Sequence, residues 1–107
     1  MRKLDLRSYQ VTSKVRGGDG EIIEVTGDYN VKDSVIYVMF LPSLGLKGAE
    51  LVRQNILAIK IEQSGDEVML EESEYQRVRA AVEAYPAQSR ADAQFVDRIL
   101  NQTPEIT

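Results

Sequence analysis

The run SVIYVMFLPSLGL, residues 34 to 46, constrains this chain more than any other stretch. With two Phe and no Trp to fill an interior, the core has to draw on it. Val35, Ile36, Tyr37, Val38 and Phe40 favour a strand by propensity. Both alternating faces of that strand would be apolar, and it would need packing layers above and below that a small domain hardly supplies. Asp33 or Ser34 can instead cap a short helix over about 34–41, apolar on nearly every side, which Pro42 terminates. The helix is the expectation, with the strand kept open. Val35, Ile36, Val38 and Met39 are assigned to the core. Leu44 and Leu46 lie beyond Pro42 in a Gly-containing connection where no turn geometry requires an apolar side chain, so they are assigned to a docking or self-association patch.

A length of 107 residues allows one domain, spanning 1–107, with enough burial to fold without a staple. Hydrophobic residues at 43% and charged residues at 28% fit a soluble globular chain. The chain has no Cys and no His. That removes a disulfide framework, a zinc-thiolate site, a thiolate nucleophile, a His-activated serine and an imidazole metal ligand. The opening MRKLDLRSYQ lacks the apolar core of a secretory signal, and no run approaches the roughly 20 residues that span a bilayer. The expected setting is the cytoplasm of the producing cell or a particle assembled there, with no membrane partner and no secretion.

Charge is unevenly spread. Arg2, Lys3, Arg7, Lys14 and Arg16 against Asp5 and Asp19 make residues 1–20 net +3, while Asp66, Glu67, Glu71, Glu72 and Glu74 make residues 66–76 net −5. Nucleic-acid binding needs a clustered cationic surface, and a chain of net charge −4 with one scattered basic end is a poor candidate.

The first organised segment reads as a β-hairpin over about 9–26. Tyr9, Val11 and Val15 alternate with Gln10, Thr12 and Lys14, so one face is expected to point inward. RGGDGE supplies the turn, and EIIEVT the return strand. The Gly-rich loop is not a phosphate cradle, because a strand rather than a helix follows it. GAELVRQNILAIKIEQSG predicts an amphipathic helix over about 48–63, with Leu51, Val52, Ile56 and Ile59 as its stripe and Gly65 as its C-cap. DEVMLEE predicts a short third strand over about 67–71. A capping box of Ser73 and Gln76 opens a helix over about 74–85 that Pro86 stops, with Tyr75, Val78, Val82 and Tyr85 on one face. Ser89 and Asp92 open another over about 90–101, with Phe95, Val96, Ile99 and Leu100 as its stripe. Residues 103–107 are expected to fray. The fold class is α+β: a hairpin and a short third strand packed against three to four helices.

No catalytic constellation emerges. Glu71, Glu72 and Glu74 sit at a strand-to-helix junction where carboxylates complement the helix macrodipole. Asp92 and Asp97 fall on nearly opposite helix faces, and Ser13 and Lys14 on opposite strand faces. No cofactor, metal or small-molecule substrate is inferred.

The order VKDSVIYVMFLPSLGLKGAELV, an acidic strand, EYQRV and then DAQFVDRIL resembles small uncharacterised proteins encoded by bacteriophages and prophages, over most of the chain. The resemblance implies a structural or assembly component, or an inhibitor of a host protein. Two functions follow as expectations. The first is a non-enzymatic interaction module that self-associates or binds a protein partner through Leu44 and Leu46. The alternative is an inhibitor that uses the acidic segment 66–76, with Asp66, Glu67, Glu71, Glu72 and Glu74, to occupy a basic groove.

Overall fold

The structure, a computed structural model, describes residues 1–86 and 88–106. Its strands are β1 (Arg2–Asp5), β2 (Tyr9–Arg16), β3 (Ile22–Tyr29) and β4 (Glu67–Leu70), and its helices are α1 (Val31–Met39), α2 (Ala49–Glu62), α3 (Glu72–Ala84) and α4 (Ala93–Asn101). Single 3₁₀ turns at Pro42–Leu44 and Arg90–Asp92 precede α2 and α4. This is the α+β class expected, with the run at 34–41 helical. Its cap is Asn30, whose side chain accepts from the Asp33 amide at 3.0 Å, so α1 starts three residues before the expected Ser34.

The strands form two separate antiparallel pairs. β2 and β3 pair along their whole length, Tyr9 opposite Tyr29 and Arg16 opposite Ile22. β4 pairs with β1, an element not foreseen in the sequence, with Arg2 opposite Leu70 and Asp5 opposite Glu67. On this second pair Leu4, Val68 and Leu70 face inward while Lys3, Glu67 and Met69 face out, the alternation of a half-buried sheet. The expectation that 103–107 frays is corrected for the described part of that segment. The Lys3 amide donates to the Pro104 carbonyl at 3.2 Å, Arg2 bridges Glu105, and Thr103 is buried with its hydroxyl on the Arg98 carbonyl. The free side of β1 gives the Lys3 amide to Pro104, and the Met1 carbonyl accepts from the Ile106 amide, which is why the tail lies down.

The core lies between the β1–β4 sheet and the four helices. Val31, Val35, Val38 and Met39 of α1 meet Leu57 and Ile61 of α2, Tyr75, Val78 and Val82 of α3, and Phe95 and Ile99 of α4 in one cluster. Ile36 is only half-buried at its margin. The box that opens α3 is Glu71 with Glu74 in place of the expected Ser73 with Gln76, two residues earlier, and the C-cap of α2 is Gln63 rather than Gly65. Ser89 and Asp92 do form a reciprocal box.

Two packing expectations are overturned. The hairpin was expected to turn one face inward, and only its base does. From Thr12 to Asp28 nearly every residue of both strands is exposed, so the hairpin is an arm that projects from the body. The molecule measures 53 × 32 × 23 Å with a radius of gyration of 15.8 Å, against about 13 Å for a compact domain of this length. The second correction concerns α2. The side facing the core carries Gln54, Leu57, Ala58 and Ile61, and the expected stripe of Leu51, Val52, Ile56 and Ile59 faces solvent.

Candidate functional site

The arm is amphipathic by register. Tyr9, Val11, Ser13 and Val15 share one face with Tyr29, Gly27, Val25 and Ile23, while Gln10, Thr12 and Lys14 share the other with Asp28, Thr26 and Glu24. On the second face Gln10 donates to Asp28 and the Thr12 and Thr26 hydroxyls meet at 3.2 Å, and toward the tip the face ends on Arg16 opposite the exposed Ile22. The first face is mostly apolar, with Ser13 and Gly27 among its members, and continuous with the core at Tyr9 and Tyr29. Val11 is half-buried beside an open groove that Ser89, Arg90 and Ala91 line from the body, and further out Val15, Ile23 and Val25 stand 45–48% exposed. An isolated two-stranded ribbon is marginal in water. The tip closes through the Gly17 amide on the Glu21 carbonyl at 2.7 Å and the Gly20 amide on the Gly17 carbonyl at 3.0 Å, with Gly20 at φ +88°, a backbone region that suits glycine.

The base of the arm is fixed. Tyr9 and Tyr29 stack with ring centroids 4.6 Å apart, and Tyr29 tilts onto Phe95 at 5.9 Å. The Tyr9 hydroxyl donates to the Ala91 carbonyl at 2.7 Å and accepts from the Phe95 amide at 3.0 Å. The Tyr29 hydroxyl donates to Asp92 at 2.5 Å. Burial first, and then the adjoining Asp92 carboxylate, push the Tyr29 phenol above the usual tyrosine range. Arg98, buried, donates to the Asp5 carbonyl at 3.2 Å and the Arg7 carbonyl at 2.5 Å, and its guanidinium lies 5.5 Å from the Tyr9 ring centroid. The arm therefore leaves the body in a set direction, held by α4 and the turn before it.

A second apolar surface lies on α2. Val52, Ile56 and Ile59 recur at i, i+4 and i+7, with Leu51 beside them, and Ile56 is 62% exposed. With Phe40 and Asn55, the first of these residues line an open groove of about 360 Å³. This side of the helix is turned about 180° from the core side, at the usual 100° per residue. Gln54 on the core side carries its polar atoms inward without loss, since its amide donates to the Met39 carbonyl at 3.1 Å and accepts from Arg77 at 3.3 Å.

The residues assigned to a docking patch sit elsewhere. Leu44 is half-buried and packs against the core cluster, and Leu46 is also half-buried. Among the acidic residues, Asp66, Glu67, Glu71 and Glu72 are exposed and Glu74 is half-buried. The structure sets this acidic segment against the basic N-terminus. Glu67 pairs with Lys3 at 2.9 Å, Glu72 with Arg2 at 2.8 Å, and Glu74 with Lys60 at 2.8 Å while also accepting from the Glu71 amide. The hydrogen bond from Arg2, then that from Gln76, hold the Glu72 carboxyl below its ordinary range. Arg2 further donates to the Thr103 carbonyl and lies 4.3 Å from the Tyr75 ring centroid. Two members of each charge pole therefore meet, Arg2 with Glu72 and Lys3 with Glu67, in a seam between β1, β4 and α3, while Lys14 and Arg16 lie out on the arm. A groove of about 570 Å³ beside that seam is lined by Lys3, Asp5, Arg7, Asp66, Glu67, Gln102 and Pro104, groups of both signs with no nucleophile-and-base pair. Among the described residues no three carboxylates converge as a metal site would require, and no helix is long and apolar enough to cross a membrane.

No family model, curated protein or solved structure matches this chain.

Proposed function

We propose that the chain is a non-enzymatic protein-interaction module. The observation that carries this reading is the projecting arm, whose Val15, Ile23 and Val25 are left exposed on one face beyond a rigid base. Apolar side chains presented on one face away from the core gain stabilisation by being covered, and a protein surface is what covers them. The exposed side of α2 adds a second row of the same character. The resemblance to phage and prophage proteins supplies the setting, a structural or assembly accessory protein within the host cell or the virion. A host-directed inhibitor working through residues 66–76 has less support, since Glu67, Glu72 and Glu74 already hold Lys3, Arg2 and Lys60.

The test compares the immobilised whole protein with a version whose arm is cut back between Thr12 and Thr26 and closed by a tight turn. Proteins of the producing cell and the free protein itself are passed over both at physiological salt. The reading expects retention by the whole protein alone, with both versions melting cooperatively. Equal retention by the two would take the arm out of the function.

A further inference from the structure

We infer that the surface covering the α2 side is the arm of a second copy of this chain, so that copies join head to tail, arm to helix. This rests on the interaction-module reading and adds the identity of the partner. The first support is that each surface lacks cover within its own molecule. The arm does not fold back over α2, because its base is locked to α4 by Tyr9, Tyr29, Asp92 and Arg98. Val15, Ile23 and Val25 on one side, and Val52, Ile56 and Ile59 on the other, remain open.

The second support is fit. From Val11 to Val15 the apolar row of β2 covers four residues at about 3.4 Å each, or about 14 Å. From Val52 to Ile59 the row of α2 rises seven residues at about 1.5 Å each, or about 10 Å, and Phe40 lengthens the groove at one side. A ribbon face of that length lies along a helix face of that length, the packing by which sheets and helices bury each other inside domains. The third support is charge. At the arm tip Asp19 and Glu21 outnumber Arg16, and at the end of α2 where Leu51 and Val52 begin Lys47 and Arg53 outnumber Glu50. Glu50 is already held by Arg53 and Arg77, while Asp19, Glu21 and Lys47 make no ion pair among the described residues. An arm laid with its tip toward the start of α2 brings those opposite charges together. Because arm and helix are different surfaces, a single contact leaves the joined pair with one free arm on one copy and one free helix face on the other, so the assembly either closes, with two copies exchanging arms as the smallest ring, or extends as a filament.

The experiment is complementation between two variants, read by light scattering after size separation. Val25→Lys spoils only the arm and Ile56→Lys only the helix face. Both positions are exposed, and Val15→Lys with Val52→Lys repeat the pair should either fail to fold by circular dichroism. The wild type is expected to run above its monomer mass of 12.0 kDa as concentration rises, and each variant alone at the monomer mass. An equimolar mixture of the two variants, which restores one intact arm-to-helix contact and no second one, is expected at twice the monomer mass. Lys47→Glu should weaken assembly by up to about fivefold at low salt and little at high salt. A wild type that stays monomeric at about 100 μM, in the affinity range of weak specific contacts, overturns the inference. So does a mixture that remains monomeric, or either variant keeping the wild-type mass. A monomeric wild type whose arm still retains another protein leaves the interaction-module reading standing, so the two failures are distinct.

Discussion

Removing the single hydroxyl of Tyr29 tests whether the arm is a fixed part of the fold. In Tyr29→Phe the ring keeps its stack on Tyr9 at 4.6 Å and its contact with Phe95 at 5.9 Å, and only the hydrogen bond to Asp92 is lost. A hydrogen bond to a charged group is worth about 1.5–3 kcal/mol, and the Asp92 carboxylate keeps its Ser89 donors, so a loss near 2 kcal/mol is expected. With an unfolding entropy of about 2.1 cal/mol/K per residue, each kcal/mol moves the melting temperature of a chain this long by about 4–5 °C. Thermal unfolding by circular dichroism should therefore fall by about 7–13 °C, on the same per-kcal/mol conversion. Burial pushes the Asp92 carboxyl up, but the donors from Tyr29 and Ser89 outweigh it and hold it below its ordinary range. Its contribution is thus present above the unfolded aspartate pKa and fades as pH falls through the lower folded one, and the gap between wild type and Tyr29→Phe should close in strong acid. Asp92→Asn and the double variant complete a cycle whose coupling should be about 1–2 kcal/mol. A melting change under 2 °C, or additive single variants, would refute the account of the arm base, since the arm would then be held by ring packing alone.

Gln54→Leu should destabilise by about 1–3 kcal/mol in denaturant titration, despite adding apolar volume to a buried position, because the Met39 carbonyl and an Arg77 donor lose their partner. Leu44→Asp should lower the melting temperature by several degrees, because the side chain packs on the core and a carboxylate there loses that cover; an unchanged melt would return Leu44 to the docking surface. Asp5 is held at about 2, first by its side-chain hydrogen bond from Arg7 and further by the Arg7 amide and Arg98. Its contribution to stability is whole above the unfolded value near 4 and is lost as pH falls through about 2, so acid unfolding should be flatter across that window in Asp5→Asn.

The elements whose local signals agreed with their burial were readable in the sequence. The apolar faces of α3 and α4 and the Ser89 and Asp92 box come from patterns in which one side is apolar and the other polar, or in which one cap satisfies identifiable donors. The helix at 34–41 was legible from a run apolar on both alternating faces that ends at Pro42, although its cap is Asn30 and not Asp33 or Ser34. β1 was missed for a physical reason. Its four residues carry one buried Leu among Arg2, Lys3 and Asp5, and such a strand exists through its partner, the acidic β4, rather than through any periodicity of its own. The two charge poles were legible as poles, and what was missing was their sequence separation of about seventy residues, closed by Arg2 with Glu72. Fraying is the expectation for the tail from Thr103, yet irregular backbone still covers a strand edge when its polar groups meet unpaired ones there, as the Pro104 carbonyl does the Lys3 amide and the Ile106 amide the Met1 carbonyl.

The errors on the hairpin and on α2 share one cause, and it bears on function. A periodicity of apolar residues says that a face will be covered, and says nothing about which molecule covers it. In the arm the alternation Tyr9, Val11, Val15 was correct as a pattern, but only its first member reaches the body. In α2 two apolar rows compete, and the row interrupted by Gln54 is the one that faces the core, because that amide finds the Met39 carbonyl at the end of α1 and Arg77 on α3. The uninterrupted row, richer in Leu, Val and Ile, is left outside. A chain that places its cleaner apolar row in solvent and a hydrogen-bonded Gln in its interior departs from the agreement between local pattern and global packing that a lone monomer would show. Two such departures, of similar length, in one 107-residue chain form a matched pair. In the arm-to-helix contact inferred above, these two rows would cover each other and the agreement would be restored.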